Sequence, residues 1–223
     1  MFDKGEESMS TKLLFSVSLL TLTFIMTQPA SAKLKLSKEI FRTVPFSSQY
    51  SEDGALIRSV DFKSVNALIP KLEKKYKTLL NRRKLEDRNE AHITVITPPE
   101  AKTGFIPNNI GIDQVITTTE MITKYKSTLQ QTEFYIVCLG MQKNAQGNIV
   151  FYLVVESEDI LNIRNEIANI VIKSGRTDIL FEPAKGYYPH ITIGYIGGDV
   201  HGVSKGPETC VEDIKMSPFK NWN

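Results

Sequence analysis

The chain has 223 residues, 41% of them hydrophobic and 23% charged, which suits a folded domain and excludes wholesale disorder. Basic and acidic side chains nearly balance, 27 against 25, for a net charge of +2. That balance permits a small phosphorylated ligand and does not suggest a long nucleic-acid footprint, which needs a dense basic stripe.

Leu13 to Met26 is an apolar run preceded by Lys12 and followed by Ala30-Ser31-Ala32. A basic residue, a run of this length and a small-x-small ending mark a secretory signal peptide. The run is shorter than the ~20 apolar residues of a spanning helix, so an uncleaved anchor is the weaker match. The acidic Asp3, Glu6 and Glu7 are unusual ahead of such a run, and Met9 offers an alternative start. We therefore expect a signal peptide over residues 1–32 and a single domain over 33–223. The product is expected to be exported, periplasmic or secreted, with no stable membrane association. Losing residues 1–32 removes two basic and three acidic side chains and raises the net charge to +3.

In chain order, a strand is predicted around Phe41 to Ser47. Apolar residues at 65, 68, 69, 72, 76, 79 and 80 follow a helical period, with Pro70 in the first turn of the main helix after a shorter piece. The basic clusters at 71–77 and 82–84 are read as a solvated helix face. A strand over Ala91 to Thr97 is ended by Pro98-Pro99. Thr117 and Glu120 have capping-box spacing and open a helix that reaches Leu129. Phe134–Leu139 and Ile149–Val155 are two strand-like runs joined by a polar stretch with Asn144 and Gly147, the pattern of an antiparallel hairpin. Ser157 caps a helix whose apolar stripe is Ile160, Ile163, Ile167, Ile170 and Val171, and Gly175 ends it. A last strand covers Tyr188 to Tyr195. The order, with each amphipathic helix feeding a strand, predicts an α+β fold of two lobes across a cleft.

Cys138 and Cys210 are the two cysteines. In an exported chain they can form one disulfide closing a long loop, whereas the apolar run around Cys138 also suits a buried free thiol. Their spacing fits no zinc pattern, and no metal is expected.

Two of the three histidines stand in the same tetrad, His92-Ile93-Thr94-Val95 and His190-Ile191-Thr192-Ile193. Alternation along a strand puts His and Thr on one face and the apolar pair on the other. A single His-x-Thr is usually a polar pair on a solvated face, but a repeated one in the same apolar frame points to a paired site. Facing each other, two imidazoles and two hydroxyls can hold a phosphate and move protons on both sides of it. One neutral imidazole takes a proton from water, the other donates to a departing oxygen, and Thr94 and Thr192 donate to the non-bridging oxygens. Such a scheme requires no cofactor. Tyr188 shares parity with His190 and is a candidate substrate contact, while Tyr195 shares parity with Ile191 and Ile193 and is expected in the core. Glu90 shares parity with His92 and either orients it or ends the strand as an exposed carboxylate. His201, in a Gly- and Asp-rich segment, is read as a surface loop residue.

Ala91-His92-Ile93-Thr94-Val95 and Pro189-His190-Ile191-Thr192-Ile193 resemble the two signature motifs of the 2H phosphoesterase superfamily, which includes 2′-5′ RNA ligase-like proteins and cyclic phosphodiesterases. The longer stretches EAHITVITPPE and YYPHITIGYIGGDVH resemble its Swiss Army Knife RNA-repair-like branch. The resemblance follows element order from about residue 40 to 215 and is specific around the motifs. It implies a bilobal fold, two antiparallel sheets lining a central cleft with helices outside. It also implies a metal-independent phosphodiesterase acting on a 2′,3′-cyclic phosphate or a related nucleotide or RNA-terminal diester, with His92 and His190 catalytic and Thr94 and Thr192 on the phosphate. By the same analogy His190 is the base and His92 the acid. The export signal argues for extracytoplasmic nucleotides or a host's RNA over RNA repair. A monomer is expected. Two alternatives remain: a non-catalytic nucleotide or RNA binder using the same cleft, and a secreted interaction protein with structural tetrads.

Overall fold

The computed structural model describes residues 33–47, 54–102 and 110–217. These lie in Lys33–Asn223, one of the two units into which the chain divides. The expected signal peptide lies outside the described residues.

Among the described residues, eight strands and five α-helices follow one another. They run β1 (Leu34–Ser37), β2 (Leu56–Ser59), α1 (Phe62–Asn66), α2 (Ile69–Lys75), β3 (His92–Ile96), α3 (Pro98–Ala101), α4 (Thr118–Gln131) and β4 (Tyr135–Lys143). Then come β5 (Ile149–Glu156), α5 (Glu158–Lys173), β6 (His190–Ile196), β7 (Cys210–Glu212) and β8 (Ile214–Ser217). The fold is α+β, with an antiparallel pair β2–β3 and an antiparallel sheet in the order β6-β5-β4-β7. A short parallel pair, β1 with β8, joins the two ends of the described chain and was not anticipated from the sequence.

Local chemistry accounts for most elements. The Thr117 hydroxyl accepts from Glu120 N and the Glu120 carboxylate from Thr117 N, closing the capping box that opens α4. Thr97 and Glu100 repeat the device, so Pro98-Pro99 both ends β3 and starts the single turn of α3. The Ser157 hydroxyl accepts from Ile160 N at the head of α5, which buries Ile160, Ile163, Ile167 and Val171. Pro70 stands in the first turn of α2 after the shorter α1, as expected. That helix ends at Lys75 rather than Leu80, and the chain turns through Asn81 and Arg82 at φ of 48° and 60°. The strand expected over Phe41 to Ser47 does not form. Ser37 caps a 3-10 turn that runs through Phe41, and the backbone N–H of Ser47 is taken by the Ser59 hydroxyl.

Strand β5 is buried on both faces. Ile149, Phe151, Leu153 and Val155 enter the main core with the helices, while Val150, Tyr152 and Val154 form a smaller cluster with Cys138 and Val200. The second face carries the second motif: His190 pairs opposite Val154 and Thr192 opposite Tyr152.

Candidate active site

Both motif strands alternate as the sequence requires. In β3, His92 and Thr94 are half-buried while Ile93 and Val95 are buried, and β6 repeats the pattern with His190, Thr192, Ile191 and Ile193. The two strands belong to different sheets yet lie against each other. The Tyr187 hydroxyl donates to Thr94 O over 2.8 Å, tying the approach to β6 onto β3. Arg164, wholly buried on α5, braces the same corner. Its guanidinium donates to Val95 O (2.5 Å), Pro183 O (2.6 Å) and the Glu100 carboxylate (2.8 Å), and stacks 3.8 Å from the Tyr187 ring centroid.

A cavity of about 420 Å³ lies at this junction, with Thr94, Tyr188, His190, His201 and Lys205 among its walls. The structure thus brings Thr94 of the first motif together with His190 of the second. His92 and Thr192 are not in that wall, although the charge of His92 reaches His190. Tyr188 is exposed at the rim, and its carbonyl accepts from His190. His201 is an exposed loop residue, as expected, and stands at the cavity mouth.

Each imidazole has its tautomer set by a neighbour. A carbonyl oxygen only accepts, so His190 Nδ1, 2.7 Å from Tyr188 O, carries the hydrogen and Nε2 presents its lone pair. The Lys205 ammonium donates into that lone pair at 3.1 Å. Burial, with Lys205 second, pushes His190 down to about 3, so the ring is neutral at physiological pH. The Tyr152 ring meets His190 edge-on, centroids 5.6 Å apart, and its hydroxyl donates to Thr209 Oγ1 over 2.7 Å. His92 Nδ1 lies 2.5 Å from Glu90 Oε1. A carboxylate accepts, so Nδ1 carries the hydrogen there too, and Glu90 is the orienting group rather than an exposed strand end.

The sequence did not reveal a buried charge network behind His190. Lys205 and Asp199 are nearly or fully enclosed; Lys205 Nζ is 3.4 Å from Asp199 Oδ1, and Arg88 pairs with the other Asp199 oxygen. Burial alone would raise Asp199, but Lys205 and Arg88 outweigh it and hold the carboxyl below its usual range. Burial lowers Lys205, with Asp199 opposing. No local pattern announces this triad, since its members come from two loops, Arg88 ahead of β3 and Asp199 with Lys205 after β6.

Tyr195 departs from its expected place. A bulge between Phe151 and Tyr152, opposite Gly194 and Thr192, shifts the pleat by one residue, so Tyr195 pairs with Val150 and packs on the smaller cluster beside the His190 face. Cys138 and Cys210 form a disulfide with Cα atoms 5.7 Å apart, joining β4 to β7 and excluding the free-thiol alternative. Among the described residues, no group of three or more His, Cys, Asp or Glu side chains is arranged to hold a metal ion.

Residues 57–201 match the family model described as Swiss Army Knife, 2H phosphoesterase domain. The protein belongs to the 2H phosphoesterase family. The match covers both tetrads and stops before Lys205. No curated protein and no solved structure gives a significant match. Membership assigns this phosphoesterase to phosphodiester hydrolysis in general, with a nucleotide or RNA phosphate as the class of substrate. No helix of the described residues is long and apolar enough to cross a membrane.

Proposed function

We propose that the protein is a metal-independent phosphodiesterase that opens a 2′,3′-cyclic phosphate, or a related nucleotide or RNA-terminal diester, in a cleft between its two motif strands. The observation that carries this reading is the state of His190: neutral, with its hydrogen held on Nδ1 by Tyr188 O and its Nε2 lone pair turned to a cavity that Thr94 shares. A neutral imidazole with a fixed tautomer can accept a proton at Nε2, and its basicity stays low for as long as Lys205 donates there. His92, with Glu90 behind Nδ1, is the complementary acid, because the carboxylate compensates the positive charge of the ring that gives up its Nε2 proton.

In the reaction a water oxygen bonds to phosphorus while its proton passes to His190 Nε2. The bond from phosphorus to one ribose oxygen breaks, and that oxygen takes the proton from His92 Nε2. The product is a phosphomonoester beside a free hydroxyl. Thr94 and Thr192 donate to the non-bridging oxygens as charge builds there, and the Tyr188 ring stacks on the base. The mild net charge favours a nucleotide or a terminal phosphate over a long RNA. The disulfide supports an exported location, since such bonds persist in oxidising compartments, and we read the active form as a monomer.

The test is hydrolysis of 2′,3′-cyclic nucleotides in excess EDTA, by wild type and by His92→Ala and His190→Ala. Each variant should lose about 10²–10⁴-fold in kcat. Full turnover in either, or complete loss of wild-type turnover in EDTA, would overturn the reading.

A further inference from the structure

The family match ends at residue 201, yet the side chain that donates to the reactive nitrogen of His190 lies beyond it. Lys205 sits in a built position. Gln142 of β4 donates to Ser204 O (3.0 Å), Thr209 donates to Gly206 O (2.6 Å), and the Cys138–Cys210 disulfide anchors the same segment to the sheet. Burying an ammonium is costly unless its acceptors compensate. If Lys205 served only to pair with Asp199, its nitrogen should lie about 2.7–2.9 Å from the carboxylate. It lies at 3.4 Å, and 3.1 Å from His190 Nε2, facing the cavity that Thr94, Tyr188 and His201 also line.

We propose that Lys205 is a phosphate-binding residue of this site, whose ammonium rests on the His190 Nε2 lone pair until a bound phosphate oxygen replaces the imidazole as its acceptor. The proposal rests on the phosphodiesterase reading and adds to it a third anion donor and an order of events. While Lys205 donates to Nε2, that nitrogen cannot accept a proton from water. An anionic diester draws the ammonium to its own oxygen, exposes the lone pair beside the phosphorus and so frees the base only where a substrate is bound. The charges that set this balance are few: His190 is faced by Lys205, Asp199 and His92, and Lys205 by Asp199, Arg88 and the Tyr152 ring, with His201 acting on Asp199.

The experiment is imidazole ¹⁵N NMR of His190 in the full chain, with and without inorganic phosphate, for wild type, Lys205→Met and Lys205→Arg, alongside turnover of a 2′,3′-cyclic nucleotide. In wild type, phosphate should shift the Nε2 resonance in a saturable way. Lys205→Met should abolish that shift, weaken phosphate binding at least tenfold and let His190 titrate nearer an ordinary histidine. Its KM should rise at least tenfold, with Lys205→Arg restoring most of the phosphate affinity. Near-UV circular dichroism reports whether Lys205→Met is folded; if it is not, Lys205→Gln takes its place.

Unchanged phosphate affinity and an unchanged His190 resonance in the folded variant would overturn the assignment, whatever turnover does. So would a wild-type His190 resonance blind to phosphate. A Lys205-dependent phosphate shift in a protein that turns over no diester would instead sink the catalytic reading and leave the anion site standing.

Discussion

The phenol of Tyr187 hydrogen-bonds the main chain of Thr94 over 2.8 Å, so the residue three before one motif histidine holds the centre of the other motif. Tyr187→Phe should therefore act on the site more than on the fold. Losing one net hydrogen bond costs about 1 kcal/mol, visible in urea unfolding, whereas kcat should fall by a larger factor because Thr94 loses its register to β6. Equal and small effects on both would refute this coupling.

Glu90 offers a cleaner separation of charge from shape. One carboxylate oxygen serves His92 Nδ1, and the other is buried with no hydrogen-bond partner among the described residues. A carboxylate kept for stability would not leave an oxygen unsatisfied. Glu90→Gln should retain the stability of wild type to within about 1 kcal/mol while lowering kcat at least tenfold; wild-type kcat would remove Glu90 from the mechanism.

The pH dependence of stability follows from His190. Its folded-state value is pushed down to about 3, first by burial and then by Lys205, against about 6.5 for an ordinary histidine. Between those values the unfolded chain binds a proton that the folded protein does not, so stability rises with pH across that window and is lost as pH falls through it. Above pH 7 neither state is protonated and the contribution is flat. Urea midpoints from pH 4 to 7 should show this slope, and His190→Gln should flatten it. The acid limb of kcat/KM should likewise lie well below pH 6. A limb near 6.5 in wild type would contradict the neutral, enclosed ring.

Gly140 is required by close approach. A Cβ there would stand 2.3 Å from Cε2 of Tyr152, the ring whose edge supports His190. Gly140→Ala should cost about 1–3 kcal/mol and displace the imidazole. Adding Tyr152→Leu should recover stability but not kcat. Stability that stays low in the double variant would show that the clash lies elsewhere.

The Cys138–Cys210 bond closes a loop across 72 positions. Loop-closure entropy for that length is worth about 4 kcal/mol. The paired Cys138→Ala, Cys210→Ala variant should lose up to that amount in denaturant titration. Its KM should also rise, because Lys205 and Thr209 hang on the same segment.

Much of the candidate site is legible in the sequence. His92 with Thr94, and His190 with Thr192, stand on the faces that strand alternation demands, and the Thr117–Glu120 capping box and the hairpin stand where local chemistry puts them. What escaped depends on contacts distant along the chain. Lys205, Asp199 and Arg88 come from loops whose composition carries no period. The bulge that moved Tyr195 is set by the partner strand, and β1 finds β8 across nearly the whole described chain. Arg164 is the instructive case: a lone charge within the buried stripe of α5 was itself a signal, because only a fully bonded guanidinium could stay there.

Among the described residues, β6 meets the segment before β3 in main-chain terms through one reciprocal pair, Glu86 with Tyr195, at 2.9 and 3.0 Å. Each motif strand keeps its own ladder if that pair opens. Deuterium uptake at those two amides therefore reports on the seam apart from either sheet, and a bound nucleotide should slow it.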